Sequence, residues 1–224
     1  ENLNHAGIPT DHATVVPNGV DLHILEQPTD RCPLPPALDE SAFVLCASRF
    51  TETKRLDILL KSFVRVQSTY SSAKLVLCGE GEERKNLERL AEDLGLEDTV
   101  YFPGYVRGQK KWAYFDRAAV YAMPSNGEGF GISYVEAAAH ATPCIGTWGD
   151  GAEEAIMNER TGLLVPSGDP DALGNAILRL LRDRDLAHEL GKAGKRRVKR
   201  SLNWTNIARR VHNICVDVIN KSRT

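Results

Sequence analysis

At 224 residues the chain has room for one large domain or two small ones and can bury a sizeable core. Its 28 Lys and Arg against 30 Asp and Glu leave a formal net charge of −2, which is no electrostatic footprint for non-specific nucleic-acid binding. No apolar run approaches the ~20 residues that span a bilayer, and nothing at the N-terminus resembles a signal peptide.

Residues 1–14 are polar and without periodicity. Val15 to Asp21 reads as a short strand closed by an Asn18-Gly19 turn, and Pro28 to Pro36 as a lead-in too rich in proline for regular pairing. From residue 43 a regular alternation sets in. Phe43–Ala47 is a continuous apolar run, the mark of a strand buried on both faces. Leu56, Leu59, Leu60, Phe63 and Val64 then recur at helical spacing, with Lys61 and Arg65 on the other side. Lys74–Cys78 is the next strand, Glu82–Leu94 a helix, Val100–Phe102 a strand, Gln109–Arg117 a helix and Ala119–Met123 a strand. A glycine loop and an alanine-rich helix follow, and then strands at Pro143–Ile145 and Gly162–Val165. Strands separated by helical segments predict βαβ units, hence an α/β fold with a doubly wound, Rossmann-like parallel sheet. The tail is helical. Asp169-Pro170 is a good helix start, a second helix covers about Asp185–Arg200, and a third begins near Asn203, with an apolar stripe from Trp204 to Val218.

In such sheets ligands sit beyond the carboxyl ends of the strands. Pro124 to Glu136 is a strand–glycine loop–helix junction, in which Gly127, Gly129 and Gly131 feed a helix N-terminus, a geometry that favours an anion. It also carries two carboxylates, Glu128 and Glu136, eight positions apart. A plain phosphate cradle has no use for them, whereas a ligand with both phosphates and hydroxyls does, because carboxylates accept from hydroxyls. Arg49 and Lys54, after the first regular strand, match the charge of a diphosphate, although a solvated loop would also carry such residues. Cys78-Gly-Glu-Gly81 has too many acidic neighbours for a phosphate loop and reads as a turn beside the site. The dinucleotide fingerprint is incomplete, since Ile132 stands where its last glycine is required. The D-x-D matches at Asp169–Asp171 and Asp183–Asp185 read as helix caps and not as metal ligands. Cys46, Cys78 and Cys144 fall inside apolar runs and no Cys/His ligand spacing occurs, so reduced thiols in a cytoplasmic protein are expected, with no structural zinc. The basic run Lys192, Lys195, Arg196, Arg197, Lys199 and Arg200 reads first as a solvated helix face and second as a contact to an anionic membrane surface.

Six pieces occur in a telling order: Pro17-Asn-Gly-Val-Asp21; Arg49 with Lys54; Phe102-Pro-Gly-Tyr-Val106; Glu128-Gly-Phe-Gly with Glu136; Ala141-Thr-Pro143; and Arg160-Thr-Gly-Leu-Leu-Val165. Together they resemble the C-terminal, donor-binding domain of the retaining GT-B glycosyltransferases of the large fourth sequence family (glycosyl transferases group 1). The resemblance implies a substrate that is a nucleoside-diphosphate sugar, with no cofactor and no metal. It implies that Arg49 and Lys54 hold the donor diphosphate and that Glu128 binds sugar hydroxyls. Gly129, Phe130, Gly131 and Ile132 would lie along the donor, Glu136 would take the ribose, and Tyr105 and Val106 would border the base. It further implies that residues 1–16 end or follow an absent N-terminal acceptor domain, that 17–202 form the nucleotide-sugar domain, and that 203–224 cross back to that absent partner. A lipid-linked acceptor or membrane surface is a further implied partner, and no nucleic acid is. Two departures stand out: Arg55 replaces a usual glycine, and Trp148-Gly-Asp-Gly-Ala152 replaces a usual Gly-Gly-Pro. Two other classes remain open, a nucleotide-binding module without chemistry and a sugar-nucleotide-modifying enzyme with its own acid/base group, for which His140 is the sole candidate.

Overall fold

A computed structural model describes residues 13–25, 32–39 and 41–221. Most of the 1–16 lead-in and half of the Pro28–Pro36 stretch therefore lie outside the described residues. Six strands form one sheet: β1 (Phe43–Ala47), β2 (Lys74–Cys78), β3 (Val100–Gly104), β4 (Val120–Ala122), β5 (Cys144–Thr147) and β6 (Gly162–Val165). Every pairing is parallel and the order is β3-β2-β1-β4-β5-β6. Parallel strands need helical crossovers that cover both faces, which is why the strands are continuous apolar runs. Phe43 to Cys46 and Leu75 to Leu77 are buried accordingly. The chain starts in mid-sheet, winds outward to β3, then returns to lay β4 on the other side of β1. The winding reverses there, and the loops leaving β1 and β4 diverge from a common crevice.

The layers are α1 (Leu56–Thr69), α2 (Arg84–Asp93), α3 (Gly108–Arg117), α4 (Ile132–Ala139), α5 (Pro170–Arg182), α6 (Arg184–Ser201) and α7 (Trp204–Lys221). Asp169 and Asp183 accept from the backbone N–H groups of Ala172 and Leu186, each at 2.9 Å. Both D-x-D matches are thus helix caps, which stabilise by about 1 kcal/mol each. Helix α6 packs on α4, and Gly191 permits it: a Cβ there would sit 1.9 Å from the Ala141 carbonyl oxygen. Cys46, Cys78 and Cys144 are buried free thiols, while Cys215 is exposed. Burial pushes the Cys46 thiol up to about 12 and raises Cys78 and Cys144 likewise, so none of the three serves as a thiolate nucleophile.

One expected element does not form. Val15–Asp21 is not a strand; among the described residues its one bridge joins Val20 to Asn203. The Val20 N–H donates to Leu202 O at 3.0 Å, and Trp204 N–H donates to Val20 O at 3.2 Å. The segment meets a helix junction instead of a sheet edge, so only Val20 pairs backbone to backbone there, while Val15 O accepts from the Arg210 guanidinium at 2.9 Å. A Cβ at Gly19 would lie 2.8 Å from the Asn203 carbonyl carbon, which explains the glycine.

Candidate functional site

The loop after β1 is set by what lies beneath it. Phe50 is fully buried, and its N–H donates to Glu80 O at 2.9 Å. A Cβ on Gly79 would come within 1.9 Å of Ser48 O, and one on Gly81 within 2.2 Å of Phe50 O. The Cys78–Gly81 turn is therefore a prop under the Arg49 loop. The chain then makes a 3-10 turn over Glu52–Lys54, and Asn126 N–H donates to Thr53 O at 2.8 Å, tying this loop to the glycine loop across the switch point. As a result Lys54 Nζ lies 2.5 Å from Glu128 Oε2, with both side chains mostly covered. Arg49 is exposed and makes no ion pair or side-chain hydrogen bond with any described residue.

The glycine loop is held from the far side. Asp150 Oδ2 accepts from Glu128 N–H at 3.2 Å and from Ser125 Oγ at 3.4 Å, while its Oδ1 caps Ala152 N–H at 2.8 Å. Gly151 N–H donates to Glu128 O at 2.7 Å. Gly131 opens α4 at φ 75°, and a Cβ there would meet the Tyr134 ring at 2.3 Å, so glycine is required twice over. Tyr134 in turn donates its hydroxyl to Met123 O at 2.5 Å.

At the other end Glu136, on α4, is gripped by Lys111, on α3, whose Nζ lies 2.7 and 2.8 Å from the two carboxylate oxygens. Tyr105 stands out from the loop after β3, largely exposed, and Val106 is buried behind it. Two adjoining cavities of about 740 and 570 Å³ occupy the crevice and share Ala47, Ser48, Arg49, Ile132 and Ser133. The larger takes in Tyr105, Val106, Lys111 and Glu136; the smaller takes in Lys54, Glu128 and the Gly129-Phe130-Gly131 run. All ten residues nominated from the sequence line one or the other. The volume suits a nucleotide-sized ligand. The cleft has a cation and a carboxylate paired at each end and the unpaired Arg49 on the shared wall.

Two residues escaped the sequence reading. Asp150 falls in the segment noted as a departure, where nothing showed that its carboxylate would tie the loop. Lys111 did leave a signal: with Lys110 it puts two cations in the first turn of α3, the positive end of the helix dipole, an arrangement that calls for an anion nearby.

A family model described as Glycosyl transferases group 1 matches residues 35–197. The chain belongs to that family. Among curated relatives it is 34% identical over 178 residues to a GDP-mannose-dependent alpha-(1-6)-phosphatidylinositol monomannoside mannosyltransferase of Mycobacterium tuberculosis, covering 76% of this chain and 46% of that protein. Among solved structures it resembles sucrose-phosphate synthase from Thermosynechococcus elongatus, at 30% identity and TM-score 0.77, over 93% of this chain and 53% of the other. It shares its fold with Anabaena Alr3699/HepE in complex with UDP and glucose, at 20% identity and TM-score 0.81, over 96% and 59% of the two chains. The chain thus spans about half the length of the curated relatives it matches. In this group 1 glycosyl transferase His140 is no acid/base candidate for the cleft. Its Nδ1 is 2.5 Å from Asp116 Oδ1 and its ring stacks on Trp112 at 5.6 Å, outside the lining of both cavities.

Proposed function

We propose that this chain is the donor-binding half of a retaining glycosyltransferase that moves a sugar from a nucleoside-diphosphate sugar to an acceptor hydroxyl. The observation that carries the reading is the placement of Arg49, Lys54, Glu128 and Glu136 around one crevice at the switch point of the sheet. The nucleoside lies in the larger cavity, its base against Tyr105 and Val106 and its ribose hydroxyls donating to Glu136. The diphosphate crosses the shared wall to Arg49 and Lys54, and the sugar lies in the smaller cavity with its hydroxyls on Glu128 and the Gly129–Ile132 backbone alongside. As the glycosyl bond breaks, negative charge builds on the diphosphate. The two cations stabilise that charge without a metal ion, and loss of a preorganised donor of this kind costs about 3–4 kcal/mol in the transition state. Lys54 has three N–H donors, so it can hold Glu128 and a phosphate oxygen together.

The acceptor site belongs to an N-terminal domain outside this chain, so the chain alone binds donor nucleotide and transfers no sugar. The named relative acts on a phosphatidylinositol mannoside. A lipid-linked acceptor here, and a cytoplasmic protein held peripherally at a membrane, agree with the exposed cations Lys192, Arg196, Lys199 and Arg200 on α6. Among the described residues no helix is long and apolar enough to cross a membrane. Calorimetric titration of the 224-residue chain with UDP, GDP and ADP tests the core of the proposal. One of the three binds, and Glu136→Ala weakens it. A chain that binds none, or is indifferent to Glu136→Ala, defeats the site assignment, and sugar transfer by the chain alone defeats the division of labour.

A further inference from the structure

Glu136 is the fifth of the eight residues of α4, and its side chain is only 15% exposed, so its carboxylate needs a partner. Lys111 sits in the first turn of α3, where the dipole disfavours a cation. The largely covered carboxylate and the ammonium at an unfavourable helix end satisfy each other. The contact is bidentate, 2.7 and 2.8 Å to the two oxygens. The ammonium is further fixed 4.9 Å from the centroid of the Trp112 ring. Trp112 is buried and stacked against His140 at 15° between planes, and His140 is anchored on Asp116. Lys111 is therefore backed by a buried aromatic stack, and it presents Glu136 in one orientation at the wall of the larger cavity.

From this geometry we infer that Lys111 is a positioning residue that makes Glu136 a reader of vicinal hydroxyls. A carboxylate oxygen has two lone-pair sites. Lys111 occupies one on each oxygen, which leaves one on each for a pair of adjacent hydroxyls such as the 2′ and 3′ groups of a ribose. A rotating carboxylate would have to be ordered at the moment of binding, at an entropic cost that the Lys111 contact removes beforehand. The inference rests on the nucleotide reading proposed above, but it assigns to Lys111 a task distinct from attracting phosphates. An ammonium acting on the diphosphate would help every nucleoside diphosphate alike, whereas one acting through Glu136 helps only those with ribose hydroxyls.

Calorimetric titration of the 224-residue chain separates the cases, with UDP, GDP and ADP each supplied in the ribose and the 2′,3′-dideoxy form. Lys111→Met is expected to weaken the ribose form about tenfold, an energy in the range of a coupled contact pair, and to leave the dideoxy form within about twofold. Lys111→Arg, which keeps a bidentate cation, should recover most of the loss. In a Glu136→Gln background Lys111→Met should add little. Thermal melts accompany each variant, and Lys111→Gln carries the same expectations should the methionine variant fail to fold. Equal losses for ribose and dideoxy forms would overturn the inference in favour of a direct phosphate role. So would an unchanged Lys111→Met where Glu136→Gln weakens binding. If the unsubstituted chain binds none of the three nucleotides, the nucleotide reading falls and this inference with it.

Discussion

Arg55 holds its backbone at φ 48° and ψ 41°, the left-handed region, between the Glu52–Lys54 turn and α1. For a residue with a Cβ that conformation costs roughly 1–2 kcal/mol. The departure noted from the sequence, arginine where glycine is usual, thus has a physical content: the turn that presents Lys54 is made in a conformation that suits glycine. Arg55 is retained with a partner, since its guanidinium donates to both oxygens of Asp57 at 3.1 and 3.3 Å. That pair is largely solvated and contributes little. Arg55→Ala and Arg55→Gly both remove it, so their difference isolates the backbone term. The glycine variant should be more stable than the alanine variant by about 0.5–1 kcal/mol in urea unfolding, the strain relieved less the extra freedom of the unfolded glycine chain. Equal stabilities would mean that the turn relaxes around residue 55. The buried thiols give a pH expectation at the same scale. Burial raises Cys46 from 9 to about 12 and raises Cys78 and Cys144 as well. Protonated thiols are thus favoured by folding, and their contribution is fully present below the unfolded value. It is lost as pH rises above about 9, where unfolded thiols ionise first. Stability should therefore decline from pH 9 upward, and Cys46→Ser with Cys144→Ala should flatten that decline.

Between elements the controlling contact is the one joining the glycine loop to the turn after β5. Asp150 gathers three donors from two segments, Ser125, Glu128 and Ala152. A Cβ on Gly151 would come within 2.3 Å of the Gly129 carbonyl carbon, so the two loops are packed backbone to backbone. Asp150→Ala leaves the Glu128 and Ala152 amides without their acceptor and should cost about 1–3 kcal/mol. The loss should be local: hydrogen exchange of the Glu128 amide accelerates, while the Leu45 and Cys46 amides of β1 keep their protection. Uniform acceleration across the sheet would show that Asp150 supports the whole fold and not the loop. This contact also marks the limit of what sequence reading reached. The apolar runs and helical stripes are local signals, and they placed the six strands and the main helices to within a few residues. The nominated cleft residues were reachable too, because each follows a strand and the carboxyl ends of strands are where ligands sit. Asp150 and Lys111 act through partners 22 and 25 positions away. No periodicity reports such pairings. The supposed strand at Val15–Asp21 failed for the same reason: its partner, Asn203, is supplied by the far end of the chain.

For the whole molecule, the telling feature is the last helix. Ile207 is buried, but Trp204 is 50% exposed, Val211 43%, Val218 60% and Ile219 49%. Isolated exposed apolar residues are ordinary, whereas several along one 18-residue helix form a face. That face agrees with the proposed crossing of residues 203–224 to an N-terminal acceptor domain, which would cover it. The helix root is secured independently. Asn203 is buried and donates its side-chain N–H groups to Val198 O and Lys199 O at 3.0 and 2.9 Å, and the Val20 bridge clamps the same point. The root and the exposed face should therefore separate energetically. In the 224-residue chain Ile207→Ala should cost about 2–3 kcal/mol, the price of a cavity at a packed position. Val211→Glu with Val218→Glu should shift stability by no more than about 0.5 kcal/mol and should lower any tendency to self-associate in gel filtration. In the full-length protein the same double substitution should lower the melting temperature and the transfer rate together, because there it would place two carboxylates in an apolar interface. If the double variant unfolds the 224-residue chain as Ile207→Ala does, the face is part of this domain's own core. If it leaves the full-length protein untouched, the face meets no partner domain.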